Sequence, residues 1–458
     1  MRDRRLLPIV LLAILALVAG CAADSADAPA DPVAGEWHGS IEVPGQPLPI
    51  GITFADGGGT IDIPVQGVQD APLTEVTTDP ADVGFTLRNI PGDPVFKGRY
   101  ADDRITGDFT QAGQTFPLDL ERGPLPPAAR PQEPKPPFPY RSEDVGYPSG
   151  DITVAGTLTL PEGAGPFPAV QLITGSGPQD RNEELMGHKV FLVIADALTR
   201  AGYAVLRTDD RGVGGTGGDL SAATYDVLAD DVAAGTAFLR GRSEIDPGRI
   251  GLFGHSEGGY LAPLAASKQG DQIDFLVLMA GPSVPGRDVL IEQNGLLLAA
   301  AGATPEEARA QQEYVAEWSA LLVAGDLAGA RAATERQEAS LPPEQRSAPA
   351  VLDAQESPVM RAFLGYDPAP ALRAVRVPTL AVFGGKDLQV PPAQSEQPMR
   401  DLLAGAPDPT VHTFPGLNHL LQPANTGSPS EYATIETTID PAALGYLTDW
   451  LTTRIPPR

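Results

Sequence analysis

Arg249-Ile250-Gly251-Leu252-Phe253-Gly254-His255-Ser256-Glu257-Gly258-Gly259-Tyr260, running on to Ser267, decides how this chain folds. Residues 249–253 form a short apolar run of strand type, and 260–267 read as a helix. Between them stands a G-x-S-x-G match at 254–258, followed by Gly259. The pattern by itself is common by chance. A strand running into it and a helix running out give it the strand-turn-helix context in which such a serine is presented for attack. The flanking glycines allow a tight turn, so Ser256 Oγ projects from the carboxyl edge of a sheet. A glycine-rich loop with a bystander serine is the weaker reading in this context.

The same texture extends on both sides. Residues 167–174, 204–209, 275–280 and 379–384 are short apolar runs, each followed by a turn, and 411–414 reads as the last strand. Residues 190–201 and 225–239 fit amphipathic or buried helices. Alternation of this kind implies a mostly parallel sheet covered on both faces. Residues 287–365 interrupt it without convincing strands. Thr304-Pro305-Glu306-Glu307 is a capping box with Pro at the first helical position, so a helix starts there and continues through 308–323. The interruption, about 285–366, reads as a helical cap inserted over the sheet.

A serine hydroxyl is a weak nucleophile at neutral pH and needs an adjacent base. On this kind of sheet the order is Ser, then Asp or Glu, then His. The histidines are His38, His188, His255, His412 and His419, and two lie downstream of Ser256. His412 falls inside the last strand. His419 follows in the loop Gly416-Leu417-Asn418, at the edge where Ser256 stands, and is the expected base. Residues 379–384 lead into Gly385-Lys386-Asp387, which makes Asp387 the expected acid, holding the imidazole tautomer. Glu396, Asp401 and Asp408 fall in or after the next helical stretch and read as solvated. An oxyanion hole needs two backbone N–H groups. One is expected from Glu257 and the other from Gly175-Ser176-Gly177-Pro178. Pro178 has no N–H, leaving Ser176 or Gly177, with Ser176 favoured.

Two other features compete for attention. Residues 212–217 match G-x-G-x-x-G, but polar residues follow where a dinucleotide site opens directly into a helix. A structural turn beside the active site fits better. His188-Lys189 reads as packing or helix capping. No HExxH, P-loop or clustered metal-ligand motif occurs, and no metal or other cofactor is expected.

Upstream, Arg2, Arg4 and Arg5 precede an apolar run at 6–18 and Val18-Ala19-Gly20-Cys21. That is the layout of a secretory signal, too short for a convincing membrane span. Its end resembles a bacterial lipobox, with residues 1–20 removed, Cys21 lipidated and 21–32 a polar tether. The chain has no other cysteine, so an intrachain disulfide and a Cys-based zinc site are excluded. Residues 33–123 carry short strand-like pieces with frequent turn signals and read as a small antiparallel barrel or sandwich. Trp37 there reads as a core residue with His38 satisfied beside it. Residues 124–139 hold eight prolines, which exclude a helix or central strand and read as a semi-rigid linker. The α/β unit then occupies 140–458.

With 458 residues, 42% hydrophobic and 20% charged, the chain is globular and long enough for two or three units. Glycine and proline scatter without a collagen period. The formal net charge of −27 opposes binding to phosphate backbones, so no nucleic-acid partner is expected.

Gly175-Ser176-Gly177-Pro178-Gln179-Asp180-Arg181, Asp209-Asp210-Arg211-Gly212-Val213-Gly214, Gly254-His255-Ser256-Glu257-Gly258-Gly259, Gly385-Lys386-Asp387-Leu388-Gln389-Val390 and Asn418-His419-Leu420 together resemble a bacterial carboxylesterase group of the α/β-hydrolase superfamily, over about residues 140–454. The resemblance implies a cap between the sixth and seventh strands and a triad of Ser256, Asp387 and His419. It also implies hydrolysis of short- or medium-chain acyl esters through an acyl-enzyme. The expected partners are a small-molecule ester and, through Cys21, a membrane of the cell envelope; no obligate protein partner is inferred. An acyltransferase or a peptidase of the same fold is the nearest rival. Superfamily peptidases commonly carry a β-propeller, for which 33–123 is too short. A surface binding lipoprotein with a vestigial hydrolase is the rival from another class.

Overall fold

The computed structural model describes residues 31–43, 48–55, 58–64, 68–88, 92, 94–126, 129–341, 346–347 and 349–457. The signal and lipidation readings at 1–21, Cys21 included, lie outside the described residues. The chain divides into two compact units; the first holds the strands that precede residue 129, and the second begins at Arg130.

The first unit is all β. Its strands are β1 (Gly35–Ile41), β2 (Leu48–Ala55), β3 (Gly58–Ile63), β4 (Val68–Pro72), β5 (Thr74–Asp79), β6 (Asp82–Thr86), β7 (Val95–Ala101), β8 (Arg104–Gln111) and β9 (Gln114–Arg122). The order is β4-β3-β2-β1-β9-β8-β7-β6-β5, with every pair antiparallel. The two ends of this sheet, β4 and β5, are consecutive strands joined by Leu73, whose N–H still reaches Gly59 O on β3. The strands therefore follow an up-and-down order in which the two ends of the sheet are adjacent along the chain. Alternation supplies the filling: Ile50, Ile52 and Phe54 of β2, Ile105 and Phe109 of β8, and Leu118 and Leu120 of β9 are buried together. Phe85 and Phe96 face each other across β6 and β7 and stack with centroids 5.2 Å apart. Each such ring contributes roughly 1.5–3 kcal/mol by leaving water. Trp37 lies in this core, and its indole N–H donates to Val33 O at 2.7 Å. That bond satisfies the one polar atom of the ring.

The second unit opens on the proline-rich stretch. From residue 130 onward this stretch is tied down by its non-proline side chains. Arg130 donates to the carbonyls of Met186 and Gly187, Gln132 bonds the backbone of Thr438 and Ile439, and Glu133 pairs with Lys189 at 3.1 Å. A stretch rich in proline has few N–H donors, so its neighbours' side chains make the attachments.

An eight-stranded sheet follows, built from β10 (Arg141–Ser149), β11 (Ile152–Leu160), β12 (Phe167–Ile173), β15 (Ala204–Thr208), β16 (Ile245–His255), β17 (Phe275–Met279), β18 (Thr379–Gly384) and β19 (Pro409–Phe414). A two-residue-per-strand hairpin, β13 (Glu184–Leu185) and β14 (His188–Lys189), lies between β12 and β15 in sequence. The spatial order is β10-β11-β15-β12-β16-β17-β18-β19. The β10–β11 and β11–β15 pairs are antiparallel and the rest parallel. Counted within the unit, that is 1-2-4-3-5-6-7-8, and Ser256 follows the fifth strand. β17 and β18 are buried along their whole length, as parallel strands covered on both faces must be.

Helices α1 (Val190–Arg200), α2 (Tyr225–Arg240), α3 (Gly258–Gln269), α9 (Ala369–Ala374), α10 (Pro392–Leu402) and α11 (Pro441–Arg454) connect and cover the strands. Between β17 and α9 the described residues form the helices α4 (Gly286–Ala300), α5 (Pro305–Val323), α6 (Leu327–Ser340), α7 (Pro349–Gln355) and α8 (Pro358–Gly365). The capping box of α5 is formed: Glu307 N–H donates to Thr304 Oγ1 and Glu307 Oε2 accepts from Thr304 N–H at 2.7 Å. Val315, Trp318 and Leu322 of α5 share a small core with Leu290, Ala330 and Leu364, so these helices form a cluster of their own.

Candidate active site

Ser256 sits between β16 and α3 with φ at 51°, a left-handed conformation that costs a non-glycine residue about 1–3 kcal/mol. Its N–H donates to Met279 O at 2.9 Å, and its carbonyl accepts from Gly259 N–H at 2.8 Å. The neighbours must be glycines. A Cβ on Gly254 would lie 2.0 Å from Gly258 O, and one on Gly258 would lie 2.3 Å from Ile173 O. The strand, the turn and the start of α3 thus approach each other too closely for any side chain. Helix α3 shows no one-sided polarity because Gly258, Gly259, Leu261, Ala262 and Ala265 are all buried.

Asp387 leaves the carboxyl end of β18. Its Oδ1 accepts the N–H groups of Gln389 and Val390, both at 2.8 Å, and its Oδ2 lies 2.7 Å from His419 Nδ1. Asp387 is 2% exposed and His419 4%, so water does not compete for this contact. A carboxylate oxygen accepts, so Nδ1 carries the proton and Nε2 presents a lone pair. The loop bearing His419 is braced from within: Asn418 Oδ1 accepts from Leu420 and Gln422 N–H, and Lys386 Nζ holds the carbonyls of Ala424 and Asn425.

The loop after β12 reaches the same place. A Cβ on Gly175 would lie 3.2 Å from Ser256 Cβ. Gly175 N–H is already taken by Glu183 Oε1 at 2.6 Å. Among the described residues, the N–H groups of Ser176, Gly177 and Glu257 meet no acceptor. They comprise the Glu257 donor expected from the sequence and both alternatives for the second, Ser176 and Gly177.

Asp209 and Asp210 brace this loop from the neighbouring strand end, and Glu257 lies buried beside them. Asp209 receives Arg181 through Nε at 2.9 Å and Nη2 at 2.7 Å, and accepts the N–H groups of Arg181 and Gly215 as well. Burial alone would raise its pKa, but these donors hold it below the usual value. Asp210 accepts from Thr174 Oγ1 at 2.7 Å and Gln179 N–H at 2.9 Å. Burial pushes its pKa up to about 8 against those two bonds, and the charges of Glu257 and Glu183 add to the rise. Burial likewise raises the carboxyl of Glu257, with partial relief from Tyr225 Oη, which donates to it at 2.6 Å. The Asp-Asp-Arg-Gly stretch therefore supports the loop, and the glycines after it form the turn that Asp209 ties down. Arg211 pairs with Asp231 at 2.6 Å, away from the loop.

His255, Glu183, Asp210 and Arg181 received no individual role from the sequence. The motifs containing Asp210, Arg181 and His255 carried the signal. Glu183 had none, since 72 positions separate it from His255. The remaining histidines stand elsewhere. His412 stacks on Tyr446 at 4.7 Å, His188 is buried against Thr438 Oγ1 at 3.0 Å, and His38 belongs to β1 of the first unit. No group of three or more metal-ligating side chains that could hold an ion occurs among the described residues.

The sheet order and the strand-turn-helix around Ser256 define the class. The chain belongs to the alpha/beta hydrolase family, whose pattern it matches over residues 183–433. It is 30% identical over 278 residues to the esterase EstD of Thermotoga maritima, covering 59% of this chain and 59% of that protein. Among solved structures it is similar to esterase PF2001 of Pyrococcus furiosus, with 15% identity, a TM-score of 0.45, and coverage of 72% of this chain and 99% of that one. It is also similar to a proline iminopeptidase of Mycobacterium smegmatis, with 19% identity, a TM-score of 0.42, and coverage of 68% and 98%.

Proposed function

We propose that the chain is a serine carboxylesterase acting on short- to medium-chain acyl esters. The observation that carries this reading is the buried Asp387–His419 pair, which shares the carboxyl edge of one sheet with a serine in a left-handed turn. The similarity to an esterase supports the substrate class.

In the first step His419 Nε2 takes the proton of Ser256 Oγ as Oγ bonds to the ester carbonyl carbon. The carbonyl electron pair moves to oxygen, which the N–H groups of Glu257 and Ser176 receive, with Gly177 the alternative to Ser176. Loss of one such donor typically costs about 2.7–4 kcal/mol of barrier. The tetrahedral adduct collapses, the carbon–alkoxy bond breaks, and the leaving oxygen takes the proton from Nε2. Water then attacks the acyl-enzyme with the same base, and Ser256 recovers its proton as the acid departs. Asp387 keeps Nδ1 protonated and stabilises the imidazolium between proton transfers. Ser256→Ala, assayed on p-nitrophenyl esters of graded chain length, is expected to fold normally and lose turnover. An equally active variant contradicts the assignment.

The reading includes an anchored location. Lipidation of the Cys21 sulfur, with signal cleavage before it, would place the enzyme on a cell-envelope membrane, each buried methylene contributing about 0.8 kcal/mol. The arginine-led apolar segment and the Val-Ala-Gly-Cys sequence support this. Cys21→Ser is expected to move the protein from the membrane to the soluble fraction; unchanged membrane association rejects the anchor.

A further inference from the structure

His255 immediately precedes Ser256 and is 1% exposed. Its Nδ1 lies 2.8 Å from Glu183 Oε1, and its Nε2 lies 3.2 Å from the backbone carbonyl of His419. Glu183 is fully buried, and the same Oε1 accepts Gly175 N–H at 2.6 Å. The rings of His255 and His419 pack with centroids 4.8 Å apart. One carboxylate and one imidazole therefore join three chain segments: the loop carrying the free N–H groups, the turn carrying Ser256 and the loop carrying His419.

Proton bookkeeping restricts how this junction works. A carbonyl can only accept, so His255 Nε2 carries a hydrogen. Glu183 Oε1 already accepts from Gly175, so its contact with Nδ1 needs a proton between the two groups. The pair holds that proton as imidazolium and carboxylate, or as neutral imidazole and carboxyl. Burial pulls the imidazole pKa down, but the charge and hydrogen bond of Glu183 outweigh it and leave it raised. An ordinary core histidine needs one partner; here both nitrogens are committed, and both commitments end on segments of the candidate active site.

We infer that Glu183 and His255 form a second carboxylate–imidazole pair, one that touches no substrate and positions the oxyanion loop and the His419 loop against Ser256. The inference rests on the serine-hydrolase reading above. Gln at 183 has the shape of Glu but cannot reproduce the junction. Its oxygen facing His255 would leave a buried imidazolium without a counter-charge, and its NH2 facing Gly175 N–H would set donor against donor. Phe at 255 keeps a ring and loses both hydrogen bonds.

The test is a double-mutant cycle on Glu183→Gln and His255→Phe, with rates expressed per active site titrated by a fluorophosphonate. Each single variant is expected to lose about 10- to 100-fold in kcat with KM changed less than about threefold, as misplaced reacting groups do. The double variant is expected to be no worse than the poorer single, because residues acting as a unit are non-additive. Asp231→Asn, which breaks the remote Arg211 pair, is expected to lower stability and leave kcat per titrated site unchanged. Wild-type kcat in Glu183→Gln, multiplicative losses in the double variant, or losses that vanish once counted per titrated site all overturn the inference. Absence of labelling at Ser256 in the wild type removes the hydrolase reading itself, and is distinguished by preceding any variant.

Discussion

His419 Nδ1 and Asp387 Oδ2 are 2.7 Å apart, and the other oxygen of Asp387 is held by two backbone N–H groups. The acid is therefore fixed before it meets the imidazole, and the imidazole is fixed by the acid. Ring orientation and tautomer both follow from this contact. Asp387→Asn retains the shape but offers Nδ1 an NH2 donor, which favours the tautomer with its proton on Nε2, where the lone pair is needed. Its kcat on a p-nitrophenyl ester is expected to fall on the order of 10³- to 10⁴-fold at neutral pH, and steady-state assay of the purified variant checks this.

Arg181 binds Asp209 through two nitrogens, and it also reaches Gly156 O and Thr157 Oγ1. Asp209 is 4% exposed. Arg181→Met would leave that carboxylate buried without its cation, a change that typically destabilises by about 3–5 kcal/mol. Denaturant unfolding should show a lower midpoint for the second unit, accompanied by reduced esterase turnover.

Asp210 supplies a pH dependence. An unfolded carboxyl titrates near 4, whereas burial sets this one at about 8. Between those values the native state keeps a proton that the unfolded chain has released. The contribution to stability is thus fully present below about pH 4 and is lost as pH rises through about 8. Asp210→Asn removes the titration while still accepting from Gln179 N–H. The stability of wild type is expected to decline more steeply than that of the variant between pH 5 and pH 9. Parallel declines in denaturant titrations at both pH values would contradict this.

Thr304 caps α5 at an exposed site far along the chain from Ser256. Thr304→Ala is expected to cost about 1 kcal/mol, within the usual range for a lost cap. Because the capping contacts lie entirely within residues 304–307, kcat on a short-chain ester is expected to stay at the wild-type level. Calorimetry together with a rate assay checks both halves.

The sequence was most legible where structure is local. Strands β17 and β18 are continuous apolar runs because both faces are covered, and the glycines at 254 and 258 mark a turn that admits no Cβ. The capping box at 304–307 is a four-residue signal and forms as written. Legibility fell where pairing partners supply what the segment lacks. β10 is largely polar, and its pairing is settled by β11. β4 and β5 carry few apolar residues and are held by β3 and β6. The prolines at 124–139 read as a semi-rigid linker, and from residue 130 onward Arg130, Gln132 and Glu133 attach it to the second unit through contacts as distant as 307 positions. Glu183 was invisible for the same reason: its role depends on Gly175 and His255, which only the folded chain brings together.

The central claim is that Ser256 is an activated nucleophile. Purified protein lacking residues 1–21 should be treated with a fluorophosphonate and the adduct located by peptide mass spectrometry. The account predicts one stoichiometric phosphonyl adduct on the peptide containing Ser256, abolished in His419→Ala. A well-folded protein that remains unlabelled, or one labelled at another serine, would contradict it.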